Sequence, residues 1–178
     1  MGVEDREDRM ARSRTLALWV VLALVLVGAL LWVLLYGARM VKESWMRKNE
    51  AQARTTLTVI SRALQAYHEK HDGYPDRLQR LGGKGEGPPE TAPPERARLL
   101  EAALAHNRFE KDGYRFRYQP GQAQQRWAAT VQLLDSYRLT AEPLAPGGSG
   151  EWFYYADLGG GIRARKGEAA GPDDPVAE

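Results

Sequence analysis

The sequence predicts an α+β fold in which a long N-terminal, membrane-spanning helix packs on a small antiparallel sheet. Three observations support this. An uncharged apolar run covers residues 15–38. Apolar residues then recur with the spacing of one helix face up to about residue 71, and shorter segments with strand-like alternation follow. A helix followed by strands in this order is typical of α+β domains.

The apolar run predicts a permanent transmembrane helix. Leu16–Tyr36 holds 21 apolar or small residues, which span roughly 32 Å and match a hydrocarbon core of about 30 Å. A secretory signal has a core of only about 7–15 residues and a small-residue cleavage site, which this segment lacks. We therefore expect an uncut anchor over 15–38, preceded by a charged segment at 1–14. The residues expected to face lipid or its interface are Leu16, Trp19, Leu24, Leu31, Trp32 and Tyr36.

The helix is expected to continue beyond the membrane as an amphipathic segment, 39–72. Four apolar residues follow one another at spacings of three, four and three, which is one helix face: Leu57, Ile60, Leu64 and Tyr67. We expect one helix from roughly 15 to 71. Gly73 is expected to take the left-handed conformation that ends it, and Pro75 cannot continue a helix.

The predicted soluble domain covers 73–165, and a polar tail follows at 166–178. Glycine and proline crowd residues 82–95, which predicts a loop. A second short helix is expected from about Pro94, with its buried side formed by Leu99, Leu100, Ala103 and Leu104. In "GYRFRYQPG" the aromatic residues alternate with polar ones, so Tyr114, Phe116 and Tyr118 should share the buried face of a strand. "RWAATVQLLDSYRLTAEP" predicts a second hairpin or a long bent strand, and "EWFYYADLGGGIRARKG" two strands around a turn.

Several of these motifs in order resemble type IV pilin-like proteins, notably the pseudopilins of type II secretion systems. They are "ISRALQAYHEKHDGYPDRLQRL", "KDGYRFRYQPG" and "SYRLTAEPLAPGGSGEWFYYADLGGG". The resemblance covers roughly 45–175. It implies an extracytoplasmic domain packed on the C-terminal half of the N-terminal helix. It also implies a structural role in an envelope-spanning assembly.

The apolar segment departs from that family. Polymerising members carry a Gly followed by Phe-Thr-Leu-x-Glu, where the leader peptidase cuts after the glycine. "SRTLALWVV" has neither the Gly-Phe pair nor a glutamate. A carboxylate inside the membrane is unfavourable unless it is paired, so in those relatives it sets the subunit register. We therefore expect a pilin-like domain without prepilin cleavage or glutamate-mediated polymerisation.

Charge and composition narrow the possible functions. The net charge is +2, and the chain has no cysteine. Such a balanced chain is not expected to bind nucleic acid, and thiolate metal sites and disulfides are excluded. His68 and His71 are expected to form a solvated helix end. Asp157, Asp173 and Asp174 lie where some secretion pseudopilins bind calcium, and that question stays open. We expect no catalytic residue, cofactor or small-molecule substrate.

The aromatic run Trp152, Phe153, Tyr154 and Tyr155 is a candidate partner patch, because two-faced strands turn some of these rings outward. We expect a non-enzymatic, single-pass protein of the bacterial inner membrane with a periplasmic domain. Its partners would be the lipid bilayer and other pilin-like or secretion-system proteins. A stand-alone tethered binding or sensing module is the alternative, and a hydrolase is a third possibility. Basic residues flank the anchor on both sides, so charge alone does not orient it.

Overall fold

The computed structural model describes the backbone of residues 4–83, 99–128 and 131–177. It divides into two compact units, Met1–Ser44 and Trp45–Glu178. Helix α1 is Glu4–His71, and a short 3-10 helix follows at Leu78–Arg80. The strands are β1 (Tyr74–Pro75), β2 (Arg108–Lys111), β3 (Tyr114–Pro120), β4 (Ala123–Ala128), β5 (Val131–Leu134), β6 (Tyr137–Pro143), β7 (Trp152–Ala156) and β8 (Arg163–Lys166).

Helix α1 is long and apolar enough to cross a membrane, judged by length and composition. The part beginning at Val21 contains an 18-residue window with a mean hydropathy of 2.5. The helix ends at His71, as expected, but it begins at Glu4 rather than near residue 15. The segment before the apolar run holds acids near the helix N-terminus and arginines after them, without glycine or proline from residue 4 to 14. Acids in a first turn complement the helix dipole, so this segment is helical as well.

All strands pair antiparallel, in two sheets. The larger has the order β2-β3-β6-β7-β8, and the smaller has the order β1-β5-β4. The β3–β6 pair continues into the β4–β5 pair, since Gly121 N–H donates to Ser136 O and Asp135 N–H donates to Gln122 O between them. The segment predicted to form a second hairpin or a long bent strand forms the β4–β5 hairpin of the smaller sheet, followed by β6 in the larger sheet. The sequence order of a long helix followed by antiparallel strands is an α+β fold, as predicted.

The core of the second unit lies between α1 and one face of the larger sheet. The predicted helix face is confirmed, since Leu57, Ile60, Leu64 and Tyr67 are all completely buried. The predicted buried face of β3 is confirmed too, and the neighbouring strands add further core residues: Tyr114, Phe116, Tyr118, Leu139, Ala141 and Tyr154. At the start of this packed region, Glu151 N–H donates to Glu50 Oε1 at 2.8 Å, and Asn49 Nδ2 donates to Ser149 O at 2.9 Å.

The buried tyrosines satisfy their hydroxyl groups with backbone acceptors. Tyr118 Oη donates to Pro75 O at 2.6 Å, which ties β1 to the larger sheet. Tyr114 Oη donates to Trp152 O at 2.9 Å. Burial raises the pKa of both hydroxyls. A buried hydroxyl without a partner destabilises a fold, so these bonds let bulky aromatic residues fill the core.

The residue that takes the left-handed conformation after the end of α1 differs from the prediction. Asp72 takes the left-handed conformation, with φ of 58°, and its N–H donates to His68 O at 2.7 Å. Gly73 is not in that conformation. A Cβ at Gly73 would lie 2.7 Å from Leu133 Cβ, so this glycine permits the close approach of β5. Asp tolerates the left-handed region better than most residues do. The left-handed position can therefore fall at Asp72, one residue before the predicted Gly73.

The predicted short helix from Pro94 is only partly open to comparison. Residues 84–98 lie outside the described ranges, including most of the predicted loop. Residues 99–107 form turns instead of helix. Leu100 and Leu104 are buried as expected and Leu99 is partly buried, but Ala103 is exposed. The Ala105 N–H donates a hydrogen bond to Glu101 O and closes a compact turn. The helix-like spacing of the leucines in this segment therefore comes from two leucines buried by a turn, not from a helix.

Truncating the buried helix face should strongly destabilise the domain. Ile60→Ala removes a fully buried side chain and is expected to lower the free energy of unfolding by about 2–5 kcal/mol. Val59→Ala is the matched control, because Val59 is 42% exposed on the same helix and its loss should change stability by about 0.5 kcal/mol or less. Urea unfolding of the full chain in detergent, followed by tryptophan fluorescence, measures both. Equal losses would contradict the packing described.

Gly121 is expected to tolerate no side chain. A Cβ there would lie 1.9 Å from Ser136 Oγ and 2.5 Å from Ser136 O, which belongs to the backbone. Gly121→Ala should therefore destabilise by at least about 1–3 kcal/mol. Gly171→Ala, where a Cβ would meet nothing within 4 Å, should leave the thermal midpoint almost unchanged. A Gly121→Ala protein as stable as the Gly171→Ala protein would show that the bend between the sheets does not need this close approach.

Candidate functional site

The anchor residues singled out from the sequence form an uncovered apolar surface on α1. Trp19, Leu24, Leu31, Trp32 and Tyr36 are each between 54% and 68% exposed. Trp32 and Tyr36 stack with ring centroids 5.3 Å apart. The side chain of Leu16 lies outside the described part. An apolar helix whose backbone hydrogen bonds are all internal is what a bilayer accepts.

The proposed aromatic patch is only partly available to a partner. Trp152 is 38% exposed and Phe153 is half-buried, whereas Tyr154 and Tyr155 are only 4% and 5% exposed. The expectation that Tyr154 or Tyr155 adds an exposed ring to the patch is therefore wrong, although Tyr155 lies on the sheet face away from the core. Tyr154 faces the core, and the Arg138 guanidinium covers the ring of Tyr155 at 5.8 Å. Contact of Trp152 and Phe153 with a partner stays a prediction.

Trp152 borders a small groove beside α1. The groove has a volume of about 250 Å³ and is lined by Glu50, Arg54, Tyr154, Ala164 and Ala177 as well. The Glu50 carboxylate already accepts the Glu151 N–H. Lys166 Nζ and Glu151 form an ion pair at 2.6 Å nearby. The groove therefore combines one indole with charges that already have protein partners.

A row of arginines crosses the other face of the larger sheet, and sequence reasoning missed it. The strand register aligns Arg108 with Arg117, Arg117 with Thr140, Thr140 with Tyr155, and Tyr155 with Arg163. We call Arg108, Arg117 and Arg163 the arginine row. It spans five strands, or about 19 Å at about 4.8 Å per strand. The alternation of arginine along "YRFRY" and "IRARK" was the only signal in the sequence, because the register that aligns these strands is tertiary.

The arginine row differs from the neighbouring row on the same face in its charge balance. In the neighbouring row Arg115 pairs with Glu110 at 2.9 Å, and Arg165 pairs with Asp174 at 2.6 Å. Among the described residues, no carboxylate lies within ion-pair distance of any arginine in the arginine row. Like charges directly opposite on adjacent strands repel each other. The Arg108–Arg117 alignment therefore leaves a local excess of positive charge.

One end of the arginine row opens into a cleft of about 630 Å³. We call it the outer cleft; its lining includes Gln119, Ser136, Arg138, Tyr155, Asp157 and Arg163. Its one acidic lining group is committed to protein donors, because Asp157 Oδ1 accepts the Gly159 N–H at 2.9 Å and Oδ2 accepts the Tyr155 hydroxyl at 3.1 Å. Burial, with the Asp157 charge, raises the pKa of Tyr155, so this hydroxyl stays protonated and donates. The cleft thus presents two guanidinium groups, one carboxylate that is hydrogen-bonded to neutral donors, and neutral polar groups.

The core residue Tyr137 also lines the outer cleft. Its hydroxyl donates to Asp157 O at 3.2 Å, and burial raises its pKa to about 12. Arg163 Nη1 donates to Asp174 O at 2.9 Å, which holds that guanidinium in place. Both guanidinium groups of the cleft are therefore positioned by the protein, Arg138 by the Tyr155 ring and Arg163 by a backbone carbonyl.

The acidic residues considered for calcium have structural contacts. Asp174 is 5% exposed, and its carboxylate accepts hydrogen bonds from Arg165 Nε and Gly171 N, each at 2.7 Å. Asp157 is committed as described above, and Asp173 is exposed. Within the described ranges, no group of three or more potential metal-binding side chains comes together.

The histidines at the end of α1 pack on aromatic rings. His68 stacks on the Tyr74 ring at 4.6 Å, and His71 lies 4.5 Å from the Tyr67 ring. The predicted solvated helix end is therefore packed on aromatic residues instead.

Comparison with protein-family models, curated proteins and solved structures found no match to this chain. The resemblance to pilin-like proteins therefore rests on the ordered sequence motifs alone.

Asp174 should make the stability of the domain depend on acidity. Hydrogen bonds from Gly171 N and Arg165 outweigh the effect of burial and lower the pKa of Asp174 below its ordinary 3.8. A carboxylate with a lowered pKa stabilises the fold above its unfolded-state pKa, and that contribution is lost as the pH falls through the folded-state pKa. Asp174→Ala should therefore lower the thermal midpoint at pH 7, and the difference from the parent should shrink below pH 3.8.

Thermal unfolding at a series of pH values measures this effect. Asp173→Ala is the control, because Asp173 is exposed and should change little at any pH. A difference between the Asp174→Ala protein and its parent that does not vary with pH would contradict the proposed role of the carboxylate charge.

Proposed function

We propose that this protein is a non-enzymatic, single-pass component of the bacterial inner membrane that presents a periplasmic, pilin-like docking domain. Its role would be structural or accessory in an assembly of the type II secretion or type IV pilus kind. The partners would be the bilayer, through α1, and other pilin-like or secretion-system proteins, through the domain. No covalent chemistry belongs to this role.

One observation carries the proposal: a single helix holds both an apolar stretch long enough to cross a bilayer and a buried face that organises an antiparallel sheet. The hydropathy and the completely buried helix face provide the two halves of that observation. The ordered motifs noted in the sequence add the expectation of a periplasmic, pilin-like partner system.

The outer cleft favours docking over catalysis. Its carboxylate is held by Gly159 and Tyr155, so it is not placed as a general base. The arginine side chain offers hydrogen-bond donors and no acceptor, which suits its guanidinium groups to binding rather than to proton transfer. These features support a binding role. They equally support the second candidate, a stand-alone tethered binding or sensing module, which differs only in its partners.

Cysteine labelling tests the orientation cleanly, because the chain has no cysteine of its own. In intact cells with a permeable outer membrane, a membrane-impermeant maleimide should label Leu144→Cys, since Leu144 is 42% exposed in the domain. It should label Arg9→Cys, on the other side of the anchor, only after the inner membrane is broken. The reverse pattern would place the domain in the cytoplasm and remove the proposal.

The same cysteine variants distinguish the two candidates. Cross-linking in native membranes through Leu144→Cys or Trp152→Cys should capture subunits of a secretion or pilus assembly if the first candidate is correct. Capture of unrelated envelope proteins alone would favour the tethered module. Arg9→Cys serves as the matched control, because its cross-links report neighbours on the opposite side of the membrane.

A further inference from the structure

The charge pattern of the outer cleft points to an anionic ligand. Two positioned guanidinium groups, Arg138 and Arg163, face a cavity whose one carboxylate is already hydrogen-bonded within the protein. The arginine row continues this positive surface over β3 and β2 through Arg117 and Arg108. Arginine presents a planar set of donors that matches carboxylate or phosphate oxygens two at a time.

The outer sheet face keeps these arginines although two of them have an unsatisfied buried donor atom. The Nε atoms of Arg117 and Arg163 are buried without a hydrogen-bond partner among the described residues, and an unsatisfied buried donor is unfavourable. A few residues away, Arg115 and Arg165 show that the same sheet face accommodates acidic partners for its arginines. Among the described residues, Arg138 and Arg163 have no ion-paired carboxylate, and an anion bound in the outer cleft would supply one.

The shape of the outer cleft distinguishes between classes of anion. The volume of the outer cleft, about 630 Å³, exceeds what a single inorganic ion fills. Its lining also includes the apolar residues Pro120, Leu158 and Pro172. Leu158 is 48% exposed. A single-stranded nucleic acid would need open aromatic faces for base stacking, but Tyr155 is only 5% exposed and is covered by Arg138. A cleft that combines apolar residues with two guanidinium groups suits a peptide with acidic and apolar side chains.

We propose that the outer cleft docks an acidic segment of a protein partner, with glutamate or aspartate carboxylates bound by Arg138 and Arg163 and apolar side chains resting on Leu158. This inference rests on the proposed function as a docking domain and names the chemistry of the partner. The remaining arginines of the arginine row, Arg117 and Arg108, guide the acidic segment toward the cleft.

Binding of a labelled oligoglutamate peptide to the full chain tests the proposal. The chain is held in phosphatidylcholine nanodiscs, whose lipids carry no net charge, and fluorescence anisotropy reports binding. We expect saturable binding that weakens as salt is raised, with no binding of the matching oligoglutamine peptide. Arg138→Gln and Arg163→Gln should each weaken the affinity at least about tenfold, because each removes a charged donor group that binds a carboxylate.

Arg115→Gln is the matched control. Arg115 lies on the same sheet face and is paired with Glu110, but it does not line the outer cleft, so its loss should change the affinity less than about twofold. Arg163→Gln also removes the bond to Asp174 O. Thermal unfolding therefore checks each variant, and Arg163→Lys, which keeps the charge but loses the planar donor set, should bind with intermediate affinity.

Three results would overturn the inference. They are no saturable binding of oligoglutamate, equal weakening by Arg115→Gln, or tighter cleft-dependent binding of a labelled single-stranded oligonucleotide or inorganic phosphate than of the peptide. Failure here is distinguishable from failure of the proposed function. If cysteine cross-linking still captures assembly subunits while the peptide does not bind, the docking role stands and the acidic partner is wrong.

Discussion

The burial of one face of α1 against the larger sheet is the interaction on which the rest of the domain depends. Leu57, Ile60, Leu64 and Tyr67 are completely buried, and each fully buried aliphatic or aromatic side chain contributes about 1.5–3 kcal/mol. The inner strands supply aromatic rings whose hydroxyls reach backbone acceptors, as Tyr118 does at Pro75. The same helix carries the uncharged apolar run of residues 15–38. One element therefore both organises the core of the domain and is long and apolar enough to cross a membrane.

This arrangement uses only one face of the sheet for the core, and the other face is left to carry charge. A strand alternates its side chains between two faces, so the arginines that alternate with the buried residues of β3 and β8 gather on the outer one. Where Glu110 and Asp174 form ion pairs with these arginines, the charges are balanced. Around the outer cleft they are not, which makes this the part of the domain best suited to contact an acidic partner.

The helix and the strands could be predicted because their periodicity is local. The spacing of Leu57 to Tyr67 and the alternation of Tyr114 to Tyr118 mark buried faces whatever they pack against. Predictions that needed knowledge of neighbours fared worse. Gly73 looked like a left-handed cap, yet Asp72 takes the left-handed conformation, and Gly73 instead lies where Leu133 leaves no room for a side chain. Tyr154 and Tyr155 looked like candidates for an exposed patch, yet one meets the core and the other is covered by Arg138.

By itself the sequence determined an uncharged helix long enough for a bilayer, its amphipathic continuation and the order of an α+β domain, since these follow from hydropathy and period along a continuous stretch of chain. Only the tertiary structure decided which arginines stand together. Arg117 and Arg163 are far apart in the chain and become members of one row through the pairing of β3, β6, β7 and β8. Strand register is set by packing and hydrogen bonds between distant segments, and a shift of one residue would have turned those arginines into the core.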